Sequence, residues 1–262
     1  MRCFFSRWIL QAGWAPEPGA TVTEPRAPSF WALIPAAGAG RRMGAGRPKQ
    51  FLTLGSRSVL GHTLGIFLEH PGIRGVVLVL GRDVDPDAVD LPASGGRLFR
   101  VAGGEERADS VRNGLDFLAQ QAAPDDWVLV HDAARPCLPN EDLERLMHAL
   151  RDDPVGGLLA APSTDTMKLA DSAGRVERTL DRARVWRALT PQMFRIQALR
   201  DALEAAASAG VAITDEASAM EFQGHRPRLV EGSPLNIKIT RPEDLETAQL
   251  YLLKQNRLRS PT

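Results

Sequence analysis

Residues 31–50, WALIPAAGAGRRMGAGRPKQ, decide how the rest of the chain is read. The apolar run at 31–34 has the length and character of a buried strand. Pro35 cannot donate a ladder hydrogen bond and is expected to end it. Gly38, Gly40, Gly44 and Gly46 follow, interleaved with Arg41, Arg42, Arg47 and Lys49. Glycine lets backbone N–H groups approach an anion closely, and the cations balance its charge. A strand that feeds such a loop suits a polyphosphate better than it suits a solvated surface turn. Two other phosphate loops are excluded. Lys49 stands between Pro48 and Gln50, so G-x-x-x-x-G-K-[ST] is absent. Met43 occupies the third glycine position of the dinucleotide fingerprint G-x-G-x-x-G, which counts against an oxidoreductase.

Working outward, apolar residues at Leu60, Leu64, Phe67 and Leu68 predict a helix over 59–69, stopped by Pro71-Gly72. Residues 76–80 (VVLVL) and 127–130 (WVLV) read as strands buried on both faces. A weaker strand is expected at 97–101, and another strand at 157–161. Helices are expected around Val111, Leu115 and Leu118, and from Asn140, read as an N-cap, through Leu150. Residues 163–186 break the alternation. Two short strand-like runs flank Asp171-Ser172-Ala173-Gly174, a hairpin with too few apolar residues to bury itself. Such an arm must lean on something, and a second subunit is one answer. Two more helices are expected, over 196–209 and 215–222. A short strand at 236–239 then precedes a capping box, Thr240 to Glu243, that opens the last helix.

Strands alternating with helices imply an α/β fold: a Rossmann-like, mostly parallel sheet with helices on both faces and a protruding β-arm. Ligands in such sheets sit at the carboxyl ends of the strands, so the loops after Ile34, Val101, Val130 and Ala161 are expected along one edge. Residues 1–28, rich in Pro, Thr and Glu toward their end, are read as an extension outside the fold. Residues 29–256 form the domain, with the arm at 163–186, and 257–262 a tail.

The 262 residues are 44% hydrophobic and 24% charged, with Lys plus Arg and Asp plus Glu equal at 32. No global charge points to nucleic acid or to an anionic membrane, and no apolar run reaches a membrane span. Cys3 and Cys137 offer no metal-ligand spacing, which leaves a reduced, cytoplasmic setting as the default.

The opening loop is similar to the A-A-G-x-G-x-R…P-K signature of sugar-phosphate nucleotidyltransferases, read here as Ala36-Ala37-Gly38-Ala39-Gly40-Arg41-Arg42 and Pro48-Lys49. Further blocks sharpen this. They are Gly103-Gly104-Glu105-Glu106-Arg107-Ala108-Asp109-Ser110, Val130-His131-Asp132-Ala133-Ala134-Arg135-Pro136, Asp165-Thr166-Met167-Lys168, Thr179-Leu180-Asp181-Arg182, Leu189-Thr190-Pro191-Gln192, Ile213-Thr214-Asp215-Glu216-Ala217-Ser218 and Asn236-Ile237-Lys238-Ile239. Together they resemble the 2-C-methyl-D-erythritol 4-phosphate cytidylyltransferase family of the non-mevalonate isoprenoid pathway. The resemblance runs from Trp31 to about Leu253. It implies a homodimeric transferase that uses CTP, methylerythritol phosphate and Mg²⁺. Ribitol-5-phosphate cytidylyltransferases share the loop and the Asp132 block, and a non-catalytic nucleotide-binding protein of the same fold is a further alternative.

The attacking phosphate monoester, with a second pKa of about 6, is already largely dianionic near neutrality, so no general base is needed. The task is electrostatic. The resemblance implies that Arg42, Lys49 and Lys238 stabilise the transition state. It assigns the nucleotide to Ala36, Ala37, Gly38, Gly40, Gly103, Gly104, Glu105, Ser110, Asp132 and Ala133. Methylerythritol phosphate falls to Asp132, Arg135, Thr166, Arg182 and Thr190. Asp132, just beyond a buried strand, can serve a metal or a substrate hydroxyl, or simply cap a turn; Arg135 can hold a phosphate or pair with Asp132. His131 reads as a packed residue. Leu235 stands where relatives often carry an acidic residue, which would leave more weight on Asp132.

Overall fold

The computed structural model describes residues 26–38, 48–84, 89 and 91–258. In chain order the strands are β1 (Phe30–Ala36), β2 (Thr53–Leu54), β3 (Arg57–Ser58), β4 (Ile73–Leu80), β5 (Leu98–Ala102), β6 (Trp127–Val130), β7 (Gly156–Pro162), β8 (Lys168–Ala170), β9 (Val176–Thr179), β10 (Trp186–Arg195) and β11 (Arg228–Glu231). The helices are α1 (Val59–Glu69), α2 (Arg107–Gln121), α3 (Asn140–Leu150), α4 (Ile196–Ser208), α5 (Glu216–Phe222) and α6 (Glu243–Lys254). Seven strands form the central sheet in the order β11-β7-β10-β6-β1-β4-β5. β10 runs antiparallel to both of its neighbours, and the other pairings are parallel.

The period-2 alternation of strand side chains sorts the core into two layers. From β1, Ala32 and Ile34 pack with Leu60 and Phe67 of α1 and Leu143 and Leu146 of α3. Trp31 and Leu33 point the other way, toward Val111 and Leu115 of α2, Leu199 of α4 and Met220 of α5. Helices therefore cover both faces. α6 closes a smaller cluster, in which Ala248 and Leu252 meet Cys137 and Ile239.

Several local expectations are corrected. β1 continues through Pro35, which pairs with Val79 of β4. On its other side β1 is paired with β6 only as far as Leu33, so the missing N–H falls where no ladder partner waits. Asn140 is the first residue of α3 and not its cap; Pro139 holds that position. Residues 236–239 join no strand: Ile237 N–H turns back to Leu235 O at 2.7 Å, and Ile239 N–H is spent on Ala134 O at 2.8 Å. The turn before α6 is closed by Asp244 and not by Glu243: its carboxylate accepts from Thr240 N–H, Thr240 Oγ1–H and Arg241 N–H. β10 and β11 were not anticipated.

The arm is the antiparallel pair β8–β9, and every residue of both strands is exposed. At the other end of the sheet Arg26 forks onto buried Asp126, whose carboxylate also accepts from the N–H groups of Ser29 and Ala123 and from the Trp31 indole. Residues 26–29 are thus tied to the domain at the start of β1.

Gly157 lies where β7 meets β11, and a Cβ there would sit 2.0 Å from Arg228 O, a backbone atom that cannot rotate away. Gly157→Ala is expected to lower unfolding free energy by about 1–3 kcal/mol, as overpacking does elsewhere. Denaturant titration checks this; an unchanged midpoint would show that β11 can shift without cost.

Candidate active site

A pocket of about 290 Å³ opens at the carboxyl ends of β1, β5 and β6. It is lined by Pro35–Gly38 at the end of β1 and just beyond it, by Gly104–Arg107 and Ser110 where α2 begins, and by Asp132–Ala134 after β6. Lys49, Gln50, Lys238 and Thr240 complete the wall. The loop after β7 leaves from this same edge, because β10 is antiparallel to both β6 and β7, but it departs into the arm and does not line the pocket.

Each wall is built locally. Gln50 is buried and its amide donates to Ala36 O and Gly38 O, both at 2.9 Å, pinning the chain that leaves β1. Gly103 lies buried behind the lining. A Cβ there would meet Ala37 Cβ at 2.4 Å, so only glycine lets the two loops touch. Gly104 N–H donates to Ser110 Oγ at 3.2 Å, and Glu106 and Asp109 form a reciprocal capping box, which together fix the start of α2 against the pocket. Helix N-termini favour anions.

Asp132 is the electrostatic centre. Its Oδ2 lies 2.9 Å from Lys238 Nζ and 3.2 Å from Arg135 Nε, and its Oδ1 lies 3.5 Å from Arg107 Nη2. Burial opposes its charge, but Arg107, Lys238 and Arg135 hold the carboxyl well below the usual carboxylate range. Arg107 in turn forks onto Glu216 at 2.6 and 3.2 Å. Burial disfavours the guanidinium charge, and the Glu216 carboxylate more than offsets this. Lys49 Nζ donates to Ile239 O at 2.7 Å, so the two lysines, far apart in sequence, meet at one stretch of backbone.

Behind Asp132 runs a chain of neutral bonds. Arg135 O accepts from His131 Nε2 at 3.0 Å, which requires the proton on that nitrogen. His131 Nδ1 is therefore the acceptor for the Thr190 hydroxyl at 2.9 Å, and Thr190 Oγ1 accepts Asp132 N–H at 3.2 Å. Burial pushes the His131 ring down to about 4, so it is neutral near pH 7. Asn236 closes the group: its side-chain amide donates to Thr190 O, and its backbone carbonyl accepts from Arg135 Nη1.

Of the residues singled out from sequence, Ala36, Ala37, Gly38, Lys49, Gly104, Glu105, Ser110, Asp132, Ala133 and Lys238 share this pocket. Arg135 and Thr190 stand behind it, engaged with Asp132 and His131. Thr166 and Arg182 sit on the exposed arm, where Arg182 Nη1 reaches Thr164 O at 3.4 Å. Arg42 and Gly40 lie outside the described residues. Leu235 does not line this pocket. Sequence reasoning passed over Gln50, Arg107, Thr240 and Glu216, although each belongs to a quoted block or adjoins one.

Over residues 30–254 the sequence matches the family described as 2-C-methyl-D-erythritol 4-phosphate cytidylyltransferase. It is 59% identical over 221 residues to the protein of that name from Pseudomonas fluorescens, covering 84% of this chain and 94% of the relative. A Pseudomonas putida relative of the same name is 58% identical over 221 residues, with the same 84% and 94% covered. The crystal structure of the Francisella tularensis 2-C-methyl-D-erythritol 4-phosphate cytidylyltransferase superposes with a TM-score of 0.75 at 34% identity, covering 86% of this chain and 100% of that one.

His131 supplies a direct check. The unfolded state takes up a proton near the ordinary value of 6.5 and the folded state only near 4, so this group's contribution to stability is complete above that window and lost as pH falls through it. By NMR, the His131 ring carbons are expected to keep neutral-form shifts down to about pH 5. Half-protonation near 6.5 would contradict the bonding pattern.

Proposed function

The chain belongs to the 2-C-methyl-D-erythritol 4-phosphate cytidylyltransferase family, and from that membership we propose that it transfers the cytidylyl group of CTP to 2-C-methyl-D-erythritol 4-phosphate. A phosphate oxygen of the acceptor attacks the α-phosphorus of CTP. The new P–O bond forms as the bond to the β-phosphate's bridging oxygen breaks, and pyrophosphate leaves with that electron pair. The acceptor phosphate, with a second pKa of about 6, reaches the site already ionised for the most part. The protein therefore needs no base, and the neutral, fully engaged His131 is not asked to be one.

The observation that carries this reading is the convergence of Lys49 and Lys238 on a pocket walled by Ala36–Gly38 and the start of α2. Cations fixed before the reaction stabilise charge in the transition state without reorganising. Arg42, from the same glycine-rich loop as Lys49, is assigned with them by family resemblance. The Gly104–Ser110 turn is proposed to read the cytosine through backbone groups. Asp132 is proposed to meet the ribose or acceptor hydroxyls.

Among the described residues no group of three or more His, Cys, Asp or Glu side chains is gathered for a metal. The donor set fits a Mg²⁺ held chiefly by the triphosphate oxygens, with the ionised Asp132 as a protein ligand. When bound, the ion would neutralise phosphate charge. Thr166 and Arg182 are proposed to serve the acceptor phosphate in the pocket of a second copy. The support is the arm itself: an exposed hairpin carrying exposed Met167, Leu169 and Val176, with no core of its own. The reduced, cytoplasmic setting stays a proposal; it is consistent with Cys137, a buried free thiol that burial pushes up to about 12.

Pyrophosphate release with CTP and Mg²⁺, offered methylerythritol phosphate and ribitol 5-phosphate in parallel, is expected with the first acceptor alone. Release with ribitol 5-phosphate would move the substrate, and none with either would favour a nucleotide-binding protein. Lys49→Ala is expected to lower kcat by about 10²-fold or more while raising the Kd for CTP far less. Equal losses in both would remove its transition-state role.

A further inference from the structure

Arg107 opens α2 and lines the pocket, yet its fork is spent on Glu216, which does not. Glu216 opens α5 and is 1% exposed. Gln192 of β10 clamps that helix start: its Nε2 donates to Asp215 Oδ2 at 2.8 Å, and its Oε1 accepts from Ala217 N at 2.7 Å. Two residues earlier on β10, Thr190 holds Asp132 N–H. One strand therefore positions both carboxylates between which Arg107 stands.

The oxygens of Asp132 are unequally occupied. Lys238 and Arg135 make their close contacts with Oδ2, at 2.9 and 3.2 Å, whereas Arg107 approaches Oδ1 and only to 3.5 Å. A guanidinium fork matches one carboxylate in bidentate fashion at a time. We propose that Glu216 is a positioning residue that takes up the Arg107 fork and keeps it from closing in bidentate fashion on Asp132, leaving Oδ1 open to a hydroxyl of an incoming nucleoside triphosphate. The inference rests on the cytidylyltransferase reading above. Without the Glu216 charge, the best remaining partner for the fork is Asp132. The ligand must then displace Arg107 before the ground state and before the transition state alike. Such a uniform loss raises KM and leaves kcat nearly unchanged.

The test is CTP binding by calorimetry together with steady-state turnover, on the whole chain. Glu216→Gln is expected to raise Kd and KM for CTP by about five- to tenfold, with kcat within about twofold. Arg107→Met added to that variant removes the competing cation and is expected to bring Kd back to within about threefold of wild type. Constants unchanged in Glu216→Gln, or a double variant that binds worse than the single one, would overturn the proposal. So would a fall in kcat and melting temperature with Kd unmoved, the mark of a merely structural pair. If Glu216→Gln is insoluble, Glu216→Asp retracts the charge by one methylene and is expected to raise Kd about two- to threefold; no rise overturns the proposal equally. A wild-type protein that neither binds CTP nor releases pyrophosphate overturns the functional reading and this inference with it. Wild-type turnover with unaltered variants overturns this inference alone.

Discussion

One buried carboxylate constrains this end of the molecule. Taking the Asp132 charge out of water costs several kcal/mol unless partners answer it, and three cations do, from three separate segments. Arg107 comes from α2, Arg135 from the loop after β6, and Lys238 from the stretch before α6. Their shared partner fixes where those segments meet. The neutral chain through Thr190 and His131 then sets the backbone of Asp132 from behind. The arrangement resembles a keystone: the side chain itself is small, and its neighbours are held by having to meet it.

Much of the fold was legible because its signals are local. The runs at 76–80 and 127–130 are continuous and apolar, as strands covered on both faces must be, and the stripe of α1 ended where Pro71-Gly72 said it would. β10 stayed hidden for a physical reason. It is ten residues long and carries Pro191 in its interior, with an irregular register between Ala188 and Gln192. Those features read as a breaker in one dimension and are tolerated in three, because the neighbouring ladders do not need every donor. β11 was missed because only Val230 of its four residues is buried. Residues 236–239 erred in the other direction, having strand-like composition but no ladder.

The candidate site divides along the same line. Lys49, Asp132 and Lys238 stand in short blocks whose order is informative, and the fold brings them to one pocket. The Arg107–Glu216 pair left no such trace, since it spans 109 positions and no spacing rule links a residue of α2 to one of α5. Thr190 carried a different ambiguity. A buried hydroxyl in sequence looks the same whether it faces a ligand or a histidine, and here the geometry gives it to His131 and Asp132.

The placement of β10 between β6 and β7 also has a consequence for how the chain is made. β1, β4, β5 and β6 are complete by residue 130 and, among the described residues, pair only with one another and with β10. β7 is finished at Pro162, yet its partners are β10 and β11, which end at Arg195 and Glu231. At about 5–20 residues per second, a ribosome needs roughly two to seven seconds to reach the end of β10 from the end of β7. During that interval Leu158, Leu159 and Ala160, buried in the finished sheet, have no strand beside them. The nascent chain thus carries a complete half-sheet and a solitary apolar strand at once, and that strand is the segment for which a chaperone would have most to do.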